Sequence, residues 1–266
     1  MKANVSVIMP VYNSQKTIER AVLSIVSQTI LPLELIIIDD CSTDKSIRAI
    51  LKKIKVKYED YFDIKIIFSD TNEGPATTRN KGWNLAKGEY IAFLDSDDVW
   101  YSRKIEIQYN YMKKNKEIFF SYHHMDILEK FIDKEINFSD RNVIKINPYK
   151  FLFKHYAKGN TSCVMIKNIK SLRFINGKRY FEDYLLWLEY NFKYKGVLLN
   201  TYMAGSFKKF YGISGLSKDL WKMEKGELDT FRILLKRGYI NYILYTITSA
   251  FSLIKFIRRQ IICIMR

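Results

Sequence analysis

The chain has 266 residues, 48% hydrophobic and 27% charged, with only 11 Gly and 4 Pro. One large or two small folded domains fit these numbers; bulk disorder and collagen-like repeats do not. Lys and Arg outnumber Asp and Glu by 44 to 28, and the net charge of +16 points to a polyanionic partner: nucleic acid, anionic lipid headgroups or a phosphorylated substrate.

The first half alternates strand and helix patterns. Residues 5–11 form a short apolar run that ends at Pro10-Val11-Tyr12-Asn13, and residues 17–28 carry Ile18, Ala21, Val22, Ile25 and Val26 at helical spacing. A β-branched run over 33–38 stops at Asp39-Asp40, and Ser42-Thr43-Asp44 supplies a helix start for a basic amphipathic helix over 46–56. Residues 64–68 read as a third strand, 75–86 as a helix opened by Pro75, and 89–94 as a fourth strand ending at Asp95-Ser96-Asp97-Asp98. Near-continuous apolar strands with intervening helices predict an α/β fold with a mostly parallel sheet covered on both faces. The second half is less regular: strands over 119–128 and 162–166, and helices over 181–194, 216–236 and 241–265. No repeat or low-complexity linker interrupts the chain.

Ligands of open α/β sheets bind at the carboxyl ends of the strands, and that is where the acidic residues fall. In an extended chain Asp95 and Asp97 point the same way. Two close carboxylates repel unless a cation joins them, and hard oxygen ligands suit Mg²⁺ or Mn²⁺. The same acids also suit a helix cap. Asp39-Asp40 can bond a nucleobase or ribose, or simply hold a turn. Tyr12, just past a buried strand, can stack on a base or pack. Gly74-Pro75 turn into a helix whose amino end can face phosphate; Arg79, one turn in, can do so too or pair with Asp95. Glu182-Asp183 open a helix, where carboxylates favour the dipole, and a carboxylate in a cleft also serves as a general base. His123, His124 and His155 show no ligand spacing and read as structural. Cys41, Cys163 and Cys263 are odd in number and widely separated, against a disulfide framework or zinc site and for a reducing compartment. The apolar run before Asn13 is too short for a signal peptide, so a cytosolic location, or one on the membrane's cytosolic face, is expected.

In this order, Pro10-Val11-Tyr12-Asn13, Asp39-Asp40-Cys41-Ser42, Asn72-Glu73-Gly74, Arg79-Asn80-Lys81-Gly82, Asp95-Ser96-Asp97-Asp98 and Glu182-Asp183 resemble the family 2 glycosyltransferases. The resemblance spans about the first 220 residues. It implies a GT-A, Rossmann-like fold, a catalytic domain over 1–220 and an inverting transfer from a nucleotide sugar, often a UDP-sugar. It also implies roles. Pro10 and Tyr12 line the base, with Tyr12 stacked on it. Asp40 bonds uracil, Arg79 faces the donor phosphates and Asp95 approaches the ribose. Asp97 ligates Mn²⁺ or Mg²⁺, and Asp183 deprotonates the acceptor hydroxyl. Residues 211–217 are similar to a loop that closes over the donor in members building surface polysaccharides. Gly212 stands there where Arg is common, and Lys208 or Lys209 is the substitute.

From Thr230 onward there is no acidic residue, while Arg232, Lys236, Arg237, Lys255, Arg258, Arg259 and Arg266 sum to +7. Ile240, Ile243, Leu244, Ile247, Phe251, Ile254, Ile257 and Ile261 recur at helical spacing. Residues 221–266 therefore read as a basic helical appendage lying in a membrane interface, apolar face down and cations towards lipid phosphates. Packing on the catalytic domain, and spanning by the 17 uncharged residues 238–254, are the alternatives. Together these features predict a peripheral enzyme on the cytoplasmic face of the cell membrane. It would act on a lipid-linked saccharide in surface polysaccharide assembly. A sugar nucleotidyltransferase is the second reading, weakened because Pro10-Val11-Tyr12-Asn13 stands where that class needs a Gly-rich loop. A nucleic-acid binder is the third, and no DNA- or RNA-binding signature supports it.

Overall fold

The computed structural model describes residues 2–153, 160–207 and 219–264, with side chains up to residue 261. Its first half runs β1 (Lys2–Val11), α1 (Ile18–Val26), β2 (Leu31–Asp39), α2 (Ser46–Tyr58), β3 (Asp63–Phe68), α3 (Pro75–Leu85) and β4 (Tyr90–Phe93). The β-branched runs of β1 and β2 are fully buried, because helices cover both faces of the sheet. Parallel pairing sets the order β3-β2-β1-β4, so the strand order reverses at β1. The carboxyl ends of β1, β2 and β4 meet at this point, which is where α/β sheets bind ligands.

The second half holds β5 (Asp98–Trp100), α4 (Lys104–Lys114), β6 (Ile118–Ile127), β7 (Val143–Lys145), α5 (Pro148–Phe153), β8 (Val164–Lys167), α6 (Glu182–Lys193), β9 (Lys195–Ser206), α7 (Leu220–Lys236) and α8 (Tyr242–Ile264). Antiparallel β8 joins the parallel set through β4, and β6, β9 and β5 extend the sheet, with β7 on β9. The fold is therefore the expected mixed α/β sheet flanked by helices. Five of these elements, β5, α4, β7, α5 and β9, carry no clear sequence pattern. In β9, Gly196, Asn200, Thr201 and Gly205 interrupt the apolar alternation. In α4, Lys104 and Gln108 turn inward, so polar residues occupy core positions. α7 sends Phe231 and Leu234 into the same core as the sheet, and Ile240 follows in the turn beyond it.

Lys104 is fully buried, with Nζ 3.7 Å from the centre of the Trp100 ring and no hydrogen-bond partner among the described residues. Burial pushes its amine down to about 7. A lysine held below its ordinary 10.5 binds its proton less tightly folded than unfolded, so native stability rises with pH between about 7 and 10.5. Loss of the contact with Trp100 opposes removal of the buried amine, but desolvation is the larger effect. Lys104→Met should therefore stabilise the chain by about 1–3 kcal/mol at pH 7. In urea unfolding it should also flatten the rise in stability above pH 7. A destabilised variant contradicts this balance.

Candidate active site at the strand ends

The loop after β1 is tied to its neighbours on both sides. Asn13, in the left-handed region at φ 51°, accepts at Oδ1 from the amide of Thr43 (3.0 Å), and its own amide donates to Ser42 Oγ (2.8 Å). Ser14 Oγ lies 2.6 Å from Ser96 Oγ and so links this loop to the turn after β4. Tyr12 stands between these ties with 48% of its surface exposed, although the strand before it is buried. Its ring is thus left open at the mouth of the strand ends.

Asp39 and Asp40 are both buried. Asp39 accepts from Ser42 Oγ at 2.5 Å, which shapes the turn. The Asp40 carboxylate accepts from the amides of Glu73 (2.9 Å) and Gly74 (2.8 Å). Gly74 adopts φ +85°, a conformation that favours glycine, and it leads directly into α3. The Asp40 carboxylate thus sits at the amino end of α3, as the positive end of a helix favours.

Asp95-Ser96-Asp97 is not extended. The amide of Asp98 donates to the carbonyl of Asp95 (3.0 Å), so the segment closes as a tight turn before β5. The expectation that extended alternation aligns the two carboxylates is therefore corrected. Asp98 opens β5 and is buried. It accepts from Ser162 Oγ (2.6 Å) and Asn160 Nδ2 (2.9 Å). Burial pushes its carboxyl up to about 7, and the nearby negative charges of Asp97 and Asp95 add to the shift. The turn thus brings the negative charges of Asp95 and Asp97 close to the buried Asp98 carboxyl. Asp97 is part-exposed, and its backbone carbonyl accepts from Arg20 Nη2 at 3.3 Å.

Arg79 is 4% exposed and sits between two elements. It donates to Asp95 Oδ1 (2.8 Å) through Nη2 and to Glu182 Oε1 (3.0 Å) through Nη1. Of the two roles left open by the sequence, its guanidinium takes the one of pairing acids. This double pairing brings the start of α6 to the end of β4. Burial pushes Glu182 up to about 7; the negative Asp183 adds to this and Arg79 opposes it. Its neighbour Asp183 is partly exposed. It accepts at Oδ2 from the Thr161 hydroxyl (3.0 Å) and at Oδ1 from the amide of Tyr184 (2.7 Å). Each oxygen keeps an unused lone pair.

Removing the guanidinium leaves Glu182 buried and unpaired. Arg79→Met should therefore cost about 3–5 kcal/mol at pH 8. A carboxyl raised in the folded chain holds its proton more tightly folded than unfolded, so its contribution to stability falls as pH rises from 4.5 through about 7. The variant should accordingly regain stability as the pH is lowered to 5, measured by urea unfolding. An equal loss at both pH values contradicts the assignment.

Thr161 and Ser162 went unnoticed in the sequence, although Ser162 is central: its Oγ accepts the amide of Asp95 (3.0 Å) and donates to Asp98. The short polar segment Asn160-Thr161-Ser162 has no periodicity that would mark it. His123 is buried in the core, as expected of a structural histidine, while His155, Lys208, Lys209, Gly212 and the 211–217 loop lie outside the described residues.

The chain is similar to known proteins in sequence and in fold. The model of the family described as Glycosyl transferase family 2 matches residues 6–173. An uncharacterised glycosyltransferase of Haemophilus influenzae is 36% identical over 253 residues, covering 93% of this chain and 95% of that protein. The Escherichia coli UDP-Glc:alpha-D-GlcNAc-diphosphoundecaprenol beta-1,3-glucosyltransferase WfaP is 37% identical over 236 residues, covering 81% of this chain and 86% of WfaP. In fold, the chain is similar to Staphylococcus aureus TarS 1-349 solved in complex with UDP-GlcNAc. The TM-score is 0.68 at 19% identity, covering 88% of this chain and 67% of TarS 1-349.

Proposed function

The chain belongs to the family 2 glycosyltransferases, and on that premise we propose that it moves a hexose, with inversion, from a UDP-sugar to a hydroxyl of a lipid-linked saccharide. The observation that carries this reading is the double pairing of Arg79, which gathers Asp95 and the helix start bearing Asp183 into one cluster. WfaP, whose name states a UDP-glucose donor and a diphosphoundecaprenol-linked acceptor, supports the substrate classes. Polysaccharide assembly on the cytoplasmic face of the membrane follows as the setting.

Tyr12 stacks on the base beside Pro10, and Asp40, which also holds the loop of Glu73 and Gly74, bonds uracil. Asp95 approaches the ribose. Asp97 would supply a carboxylate to Mg²⁺ or Mn²⁺, and such an ion would neutralise the charge of the departing diphosphate. Among the described residues, no group of three or more His, Cys, Asp or Glu is arranged to hold a metal. Asp183, oriented by Thr161, accepts the proton of the acceptor hydroxyl as its oxygen attacks C1. The bond from C1 to the β-phosphate oxygen breaks, and the electron pair leaves with UDP.

A panel of nucleotide sugars with Mn²⁺, scored for released nucleoside diphosphate, tests the reading. Release of UDP from one UDP-sugar, faster with acceptor, is expected. Release of pyrophosphate instead would assign a nucleotidyltransferase.

A further inference from the structure

Helix α8 is inverted relative to an ordinary surface helix. Its inward face is rich in polar groups beside the buried Phe256: Thr248 and Ser252 are buried, Ser252 Oγ donates to Glu224 Oε1 (2.8 Å) and Lys255 Nζ to Glu227 Oε1 (2.7 Å), and Arg259 reaches Glu224 Oε2 (3.0 Å). Glu224 and Glu227 belong to α7 and are fully buried. Two cations expected to face lipid phosphates are thus consumed inside the protein. The outward face carries the apolar residues instead: Tyr242, Ile243, Ile247, Ile254, Ile257 and Ile261 all stand more than half exposed, Ile243 at 70%. They fall within one stripe along a 23-residue helix of about 34 Å.

A stripe this long and apolar on a soluble surface marks an interaction site. We infer that the outward face of α8 is a docking surface for an anionic lipid bilayer, with the helix lying flat in the interface. Charge decides between a bilayer and a second copy. No acidic residue follows Asp229 in the sequence, Arg258 is exposed beside the stripe, and the chain carries +16. Two copies joined face to face would bring like charges together, whereas anionic headgroups neutralise them. Among the described residues no helix is long and apolar enough to cross a membrane. The inward ion pairs, with the Phe256 ring against Trp221, hold α8 to α7 and leave the isoleucine stripe outward, where it can enter lipid. This deepens the proposed function by naming the surface that meets the acceptor's membrane, and it rests on that reading for the acceptor alone.

Flotation of the purified full chain with phosphatidylcholine vesicles, with and without 30% phosphatidylglycerol, tests the docking face. The wild-type chain should float with the anionic vesicles, and the I247E/I254E double variant should partition at least tenfold less. Both residues point outward, so thermal unfolding and release of UDP from the free donor should match the wild type. Failure of the wild-type chain to float, or unchanged flotation of the variant, overturns the inference. So does a wild-type dimer in solution that the variant breaks apart, because a second copy then covers the face. Flotation by a chain that releases no nucleoside diphosphate supports the docking face and counts against the transferase reading.

Discussion

Asp183→Asn should leave UDP binding within about twofold of wild type and lower transfer to acceptor by about 10²–10⁴-fold, the range that a positioned general base contributes. The amide is nearly the same size as the carboxylate, and its oxygen still accepts from Thr161 or from the Tyr184 amide, so the start of α6 keeps its shape. What it loses is the capacity to take a proton. Slow release of UDP to water should persist, because the donor side of the cluster is untouched. Calorimetry with UDP alongside transfer kinetics separates the two effects. Near-normal transfer would remove Asp183 as the base, and lost UDP binding would make it a structural residue instead.

Asp97→Ala should abolish metal-stimulated donor turnover, by about 10³-fold or more, since neutralising a departing diphosphate is worth several kcal/mol of barrier and each 1.36 kcal/mol is tenfold. The tight turn from Asp95 to Asp98 is held by backbone and by Ser162, so the fold should survive. Titration of Mn²⁺ against turnover is the measurement. Full recovery at high Mn²⁺ would mean that Asp97 only tunes affinity. Unchanged activity at low Mn²⁺ would contradict its assignment as a ligand.

The strand ends that build the site are legible in the sequence because β1, β2 and β4 are mostly apolar runs, each followed within two residues by polar or acidic ones. The switch in strand order at β1 then brings Tyr12, Asp40 and Asp95 to one edge. The geometry within that edge is less legible. Asp95 and Asp97 were expected to align as in an extended chain, but the amide of Asp98 turns the chain back. Asp183 could be named only through the order of motifs, since Thr161, which orients it, sits in a segment without periodicity. Periodicity also shows that α8 has two faces without showing which one the protein uses. The buried Glu224 and Glu227 settle that, and both lie on another helix.

In the proposed transfer a divalent cation would join Asp97 to the diphosphate of the donor. A crystal soaked with UDP and Mn²⁺ and measured at the manganese edge addresses this directly. The expected result is an anomalous peak about 2.1–2.2 Å from an Asp97 carboxylate oxygen and from phosphate oxygens, as hard cations of this size bind. UDP bound beside Tyr12 with no manganese at Asp97 would contradict it.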